Sequence, residues 1–275
     1  MGLKNEFTKM IVLLNSIYTI PRIANIFFPP FHKGGQPNDA QFMAIFLEGE
    51  ATGISYILIP DKKMEEYNAL RPLDFIGKDP QEFALEFGTD DLIKEMISMA
   101  SINAICQHVM NETRFQLDYT TDPLGLLSVE KGDRIGMVGL FSGLIDTIGK
   151  AGAELIIIEK NEHLIQKYHA LPMTTDVTQL GTCNKVLCTS TTVLNNSLDE
   201  ILSHCSSDAF VSVVGPTAGY FPEPLFACGV DVVGGRIVKK SKEFLQRLIQ
   251  RKRWTDTTLK TCFHKRTYQS MINKG

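Results

Sequence analysis

Apolar and polar positions follow two different rules along this chain, and the change comes near its middle. The opening stretch, MGLKNEFTKMIVLLNSIYTI, has an apolar centre after Lys9 and predicts an amphipathic first helix. A strand is expected around Ala24–Phe28. Two apolar runs, Phe42–Leu47 and Gly53–Ile59, are joined across EGEAT and predict a hairpin. DPQEFALEFG carries helix signals, with Asp79 as cap, Pro80 at the first helical position and Gly88 at the end. Leu92, Ile93, Met96, Ile97, Ala100, Ala104 and Ile105 then recur at helical spacing, with Thr89 or Asp90 available as cap. These elements predict a small α+β unit.

Periodicity fails between about Asn111 and Val129, and the boundary is placed near Thr121. Beyond it, continuous apolar runs alternate with amphipathic segments. RIGMVGLF, AELIIIEK, KVLCTST, AFVSVVG and VDVVGGRIV read as strands. SGLIDTIGKAG, TVLNNSLDEILSHC and KSKEFLQRLIQ read as helices, and PEPLFACG as a turn or short helix. Apolar strands separated by helices predict a parallel sheet covered on both faces. The expected fold class is therefore α/β, a Rossmann-like domain preceded by a smaller α+β domain. The expected division is 1–121, 122–252 and a C-terminal tail at 253–275.

The 275 residues carry a net charge of −3, with no large single-sign field to attract nucleic acid or an anionic membrane. The basic run RLIQRKR (247–253) reads as a solvated helix face with its cations near the C-terminus. No apolar run approaches the roughly 20 residues of a membrane span. Glu6 argues against both a signal peptide and a myristoylation signal, so a cytoplasmic location is expected. Cys106, Cys183, Cys188, Cys205, Cys228 and Cys262 are scattered without a C-x-x-C, so reduced thiols are expected. A soft-metal site from Cys183, Cys188 and His204–Cys205 has little support from spacing, and no metal ligand is assigned.

In a doubly wound sheet, ligands bind beyond the carboxyl ends of the strands. After the first strand, Gly136, Gly139 and Gly143 allow a tight turn before a helix N-terminus. Glu159 closes the second strand, where an acid accepts hydrogen bonds from a ribose. A ribose would fit a dinucleotide or S-adenosylmethionine. After the next strand come Ser190, Thr191 and Thr192, then Asn195, Asn196 and Ser197. Ser197 is expected to cap a helix, leaving Asn195 free for a pocket. GPTAG (215–219) ends the last core strand. Pro216 stiffens it, Gly215 and Gly219 let it bend, and Thr217 with the free N–H groups of Ala218 and Gly219 is expected to face the crevice. His32 and His108 are the acid–base candidates, each more often structural.

VGPTAGYFPEPLFACGVDVVGGRIV resembles the signature of the family described as "Putative heavy-metal chelation", a domain of unknown function. GDRIGMVGLFSGLI resembles its first Rossmann strand, TTVLNNSLDEIL its asparagine-bearing segment, and LRPLDF with MASINAICQ the close of its first domain. The resemblance covers most of residues 40–240. It implies an enolase N-terminal-like domain followed by a Rossmann-like domain, a site between them, and a role in metal homeostasis. That role is the making or handling of metal-chelating small molecules, by condensation or hydrolysis of pterin-, flavin- or siderophore-like precursors. Asn103, Gly139, Phe141, Asn195, Gly215, Pro216 and Thr217 match the family's positions. Two departures are GLFSG, which lacks a proline after the aromatic residue, and the longer Tyr220–Glu223.

The implied roles are stacking by Phe141 and hydrogen bonding by Asn103, Asn195 and Thr217. Gly139, Phe141, Glu159, Thr191, Gly215 and Pro216 would contact the ligand. S-adenosylmethionine, another adenosine-containing ligand and a divalent metal stay open as cofactors. A methyltransferase-like enzyme and a non-enzymatic carrier of a metal or its chelate stay open as functions, and a homodimer as the assembly.

Overall fold

The computed structural model describes residues 2–32, 41–117, 119 and 127–270. The boundary expected near Thr121 lies outside these residues. The first helix, α1 (Leu3–Ile17), buries Leu3, Phe7, Met10, Ile11 and Leu14, one stripe at helical spacing. Strands β1 (Ile23–Phe27), β2 (Phe42–Leu47) and β3 (Thr52–Tyr56) form an antiparallel sheet in that order. Short helices α2 (Met64–Asn68) and α3 (Pro80–Ala84) precede α4 (Leu92–Glu112). Asp79 caps α3 by accepting from Gln81 N–H, as its position predicts. The cap of α4 is Asp91, which accepts from Ile93 N–H; it is neither Thr89 nor Asp90. Sixteen of the 21 residues of α4 are buried, so this helix has almost no solvent face.

The second unit holds β4 (Arg134–Val138), α5 (Ser142–Lys150), β5 (Glu154–Ile158), α6 (Glu162–Lys167) and β6 (Met173–Thr174). Then come β7 (Lys185–Thr189), α7 (Thr191–Leu194), α8 (Leu198–His204) and β8 (Phe210–Val214). The chain continues through α9 (Glu223–Ala227), β9 (Val232–Val238), α10 (Ser241–Ile249) and β10 (Thr258–His264). The sheet order is β10-β9-β8-β7-β4-β5-β6. Counted from β4 as the first strand, the parallel part runs 3-2-1-4-5-6, the doubly wound order whose switch point lies between β4 and β7. The molecule is thus α/β, a mostly parallel sheet preceded by a smaller α+β unit.

The stretch expected as a C-terminal tail departs from that expectation. Residues 258–264 form the antiparallel edge strand, with Thr258 opposite Val238 and His264 opposite Val232. Thr261, Cys262 and Phe263 are buried there. The segment read as one helix over 192–205 is also two pieces. Asn196 adopts φ +57° between α7 and α8, a left-handed conformation that asparagine tolerates. Within RLIQRKR, Arg247 lies in the last turn of α10 and pairs with Glu243 at 2.8 Å and Asp256 at 3.1 Å.

The two units share one apolar core. Phe7, Met99, Val213 and Tyr220 belong to a single cluster, and the Phe7 ring meets Tyr220 edge-on at 5.0 Å. Three buried polar residues of α4 then fix the second unit in place. Glu95, Asn103 and Gln107 are spaced eight and four apart, which places them on one helix face. Asn196 Nδ2 donates to Glu95 Oε1 at 3.2 Å and to Thr89 O at 3.0 Å. Asn103 Nδ2 donates to Ile54 O and to Thr217 O, both at 2.7 Å. Gln107 Nε2 donates to Val238 O, and its Oε1 accepts from Thr52 N–H at 3.3 Å. Burial raises the pKa of Glu95, and the N–H donors around it oppose that rise.

Asn103→Ala leaves two buried carbonyls without their donor. It should cost about 2–4 kcal/mol of unfolding free energy in urea denaturation. A loss under about 0.5 kcal/mol would show that water replaces the amide.

Candidate functional site

The carboxyl ends of β4, β7 and β8 converge on a cavity of about 490 Å³, and the first sheet closes its far side through Phe42, Tyr56 and Leu58. A second cavity of about 410 Å³ shares Leu58, Gly139, Glu159, Thr189 and Thr191 with the first. The two are lobes of one crevice at the switch point, where open α/β sheets hold their ligands. A larger cavity, about 650 Å³, is lined in part by His264. His264 pairs opposite Val232 at the start of β9, so that cavity lies at the amino ends of the strands, away from the crevice.

Backbone contacts set the crevice floor. Gly139 has φ +83°, and a Cβ there would come within 2.8 Å of Thr189 Cγ2. Its N–H donates to Ile158 O at 2.9 Å, which ties the end of β4 to the end of β5. At Gly215 a Cβ would lie 2.1 Å from Ser190 Oγ, so β7 and β8 close together only because this residue has no side chain. Ser190 N–H donates to Val214 O at 2.9 Å across the same joint.

The GPTAG segment faces two ways. Gly215, Pro216 and Thr217 line the first lobe. Ala218 and Gly219 are buried behind it. Ala218 N–H donates to Gly215 O at 3.0 Å, so it is not offered to the crevice. Ala218 O also packs against Gly235, where an added Cβ would sit 1.7 Å away. Thr217 Oγ1 accepts from Tyr56 N–H at 3.0 Å, which leaves its own proton to be donated. The Ala218 N–H expected in the crevice is thus spent within the turn, and Gly219 is buried behind it.

Phe141 and Thr191 line the first lobe, and Thr191 donates to Thr189 Oγ1 at 3.0 Å. Glu159 borders both lobes. Asn195 lines the second lobe, and it also organises the turn that enters α8. Its Oδ1 accepts from Ser197 N–H at 3.2 Å and from Ser197 Oγ at 2.6 Å. Ser197 itself makes no side-chain cap bond. Asn103 does not line the crevice; it holds the Thr217 wall from behind. His108 Nε2 lies 3.2 Å from Thr19 O, and neither His108 nor His32 lines a lobe. The residues missed from sequence are Phe42, Tyr56 and Leu58, whose runs read simply as a buried hairpin. Burial raises the pKa of the Tyr56 phenol.

The cysteines do not form a metal centre. Cys183 and Cys188 are buried. Cys205 Sγ donates to Ile201 O at 3.3 Å, and burial pushes its pKa up to about 11. Burial raises Cys183 and Cys188 as well, so none is predisposed to the thiolate a soft metal needs. Among the described residues, no three His, Cys, Asp or Glu side chains converge to hold a metal ion. Among the described residues, the donor set therefore offers no ready side-chain site for a heavy metal.

The family profile described as "Putative heavy-metal chelation" matches residues 122–259. The chain belongs to this family. Two of its members with solved structures, both of unknown function, share the fold across 95% of this chain and 99% of their own. The protein from Pyrococcus horikoshii has a TM-score of 0.69 at 16% identity. The protein from Desulfitobacterium hafniense has a TM-score of 0.68 at 15% identity. An uncharacterised protein of Methanocaldococcus jannaschii is 23% identical over 62% of this chain. The match spans 65% of that relative, just under two thirds of its length. No helix among the described residues is long and apolar enough to cross a membrane.

Gly215→Ala must push Ser190 aside and should destabilise by about 1–3 kcal/mol. Gly143→Ala, on the open surface of α5, should be neutral or stabilise by about 0.5–1 kcal/mol. Urea midpoints of the two variants check both signs.

Proposed function

We propose that this protein binds a small planar organic molecule in the first lobe and acts on it by condensation or hydrolysis. The fitting class is a metallophore, pterin or flavin-like precursor. The observation that carries this reading is the lobe's lining. Phe42, Tyr56 and Phe141 bring rings from both units, Pro216 adds a flat rigid wall, and neither His nor Cys contributes. Aromatic side chains favour offset or edge-on contact with another ring. The hydroxyls of Thr189, Thr191 and Thr217 stand at the same lobe and suit the carbonyl and ring-nitrogen edge of such a molecule. The lobe's volume, about 490 Å³, falls within the range of small-molecule sites.

The family description then takes a specific sense. Heavy metal is handled inside the organic chelator, as cargo or product. On this reading it is not coordinated by protein thiols: Cys106, Cys183, Cys188 and Cys262 are buried, and among the described residues no three metal-ligating side chains come together.

Fluorescence titration with pterin, lumazine and riboflavin should give saturable binding. Phe141→Ala should weaken it by at least about tenfold, the scale of one lost aromatic contact. Equilibrium dialysis against Zn²⁺ or Ni²⁺ alone should give no stoichiometric uptake. Stoichiometric uptake of bare metal, or planar compounds that bind Phe141→Ala as well as wild type, would sink this reading.

A further inference from the structure

The second lobe differs in character from the first. No aromatic side chain lines it. Its floor is aliphatic and comes from separate elements: Leu164 of α6, Val177 of the turn after β6 and Ile201 of α8, with Val138 and Ile158 at the strand ends. The rim carries one carboxylate, Glu159, and one exposed cation, Lys160, beside polar groups of Thr191 and Asn195.

Glu159 is held more firmly than its half-exposed position would require. The residue before it is tied to β4 through the Gly139 N–H···O bond to Ile158. Its own N–H donates to Thr174 O at 3.0 Å, which ties it to β6. Its side chain is aimed by Asn161 N–H, which donates to Oε1 at 2.9 Å. Asn161 is fixed in turn, because its Oδ1 accepts from His163 N–H at 3.0 Å at the start of α6. Oε2 has no hydrogen-bond partner among the described residues. A carboxylate with a locked backbone, one oriented oxygen and one open oxygen is prepared to accept hydrogen bonds.

The surroundings narrow what it accepts. A divalent cation needs several oxygen ligands, and among the described residues no acidic neighbour joins Glu159 in a metal-binding group. An anionic group at this point would be repelled. Lys160, the neighbouring cation, lies 3.9 Å from Glu200. The fitting ligand is neutral at the carboxylate, offers hydroxyl donors, and has a flat apolar part for the aliphatic floor. Gly139, lacking a Cβ and packed against Thr189, lets it approach the backbone between the lobes. In the 3-2-1-4-5-6 order, an acid at the end of the second strand is the position that receives a ribose.

We propose that the second lobe is a ribonucleoside subsite, in which Glu159 accepts from the vicinal hydroxyls of a ribose and the base lies over Leu164, Val177 and Ile201. This rests on the proposed function for the adjoining lobe. Because the lobes share Gly139, Glu159, Thr189 and Thr191, one ligand with a ribonucleoside at one end and a second group at the other can span them. The same chemistry occurs in a free nucleoside, in S-adenosylmethionine and in a dinucleotide.

The test is titration calorimetry of the full chain with adenosine, 2′-deoxyadenosine, 3′-deoxyadenosine, S-adenosylmethionine and NAD⁺. At least one of the three ribose-bearing compounds should bind. If adenosine does, loss of either hydroxyl should weaken it by at least about tenfold, the scale of a hydrogen bond to a charged group. Glu159→Gln should weaken the ribose-bearing ligand by a similar factor, with its Tm recorded as a folding control. The deoxy comparison on wild-type protein needs no variant to fold. The ribose-bearing compound that binds most tightly identifies the source. The proposal is overturned if none of the three binds, or if the ligand that binds is held equally well by Glu159→Gln. The adjoining lobe is read separately through pterin binding and Phe141→Ala. Pterin binding without ribonucleoside binding would leave the proposed function standing and remove this subsite, and the reverse result would do the opposite.

Discussion

The Asn103 side chain lies between two carbonyl oxygens that belong to different units, Ile54 O in the antiparallel sheet and Thr217 O beyond the parallel one. Buried carbonyls in the same neighbourhood would each cost free energy if left without a donor. A primary amide has two N–H donors on one nitrogen and can satisfy both. Its own Oδ1 has no hydrogen-bond partner among the described residues. Thr217 is then held from three sides: by Asn103 at its carbonyl, by Tyr56 at its hydroxyl, and by the turn that returns Ala218 N–H to Gly215. The wall of the crevice is therefore a product of both units, and neither makes it alone.

The same reasoning extends along α4. Glu95 and Gln107 repeat the arrangement at either side, each meeting the second unit through backbone or amide groups. Around these polar points runs a continuous apolar core that includes α1 and the residues after the GPT turn. Such an interface is packed like a domain interior. A crevice walled by both units suits recognition by shape and stacking. It also explains how a protein can lack an internal metal centre among its described residues and still belong to a family described by metal chelation, if the metal travels within the ligand.

Some of this was legible in the chain. The apolar runs announced β4, β5, β7, β8 and β9, because buried parallel strands are apolar on both faces. Asp79 and Pro80 announced α3 through the chemistry of the first helical turn. Gly139, Glu159, Thr191, Pro216 and Thr217 were singled out because ligands bind at strand ends in a doubly wound sheet, and Phe141 because of the family resemblance; all six line the crevice. β10 was not found. Its sequence, TLKTCFH, mixes polar and apolar residues as an edge strand does, and nothing in the sequence marks the partner β9 that makes it a strand. Ser197 was expected to cap α8 and instead donates to Asn195 Oδ1, since both residues can serve a turn and only the local backbone chooses.

What the sequence determined by itself was the kind of each element and the order in which elements come, because periodicity and caps are local properties of a few residues. Tertiary structure decided which residues meet. Phe42 and Tyr56 are more than 80 positions from Phe141, and nothing in the β2–β3 hairpin distinguishes a ring that faces a crevice from one that fills a core. Asn103 looked like a ligand-binding amide and proved to be the clamp behind the wall. A hydrogen bond between residues 114 positions apart is specified by the packing of whole elements, and no short stretch of chain encodes it.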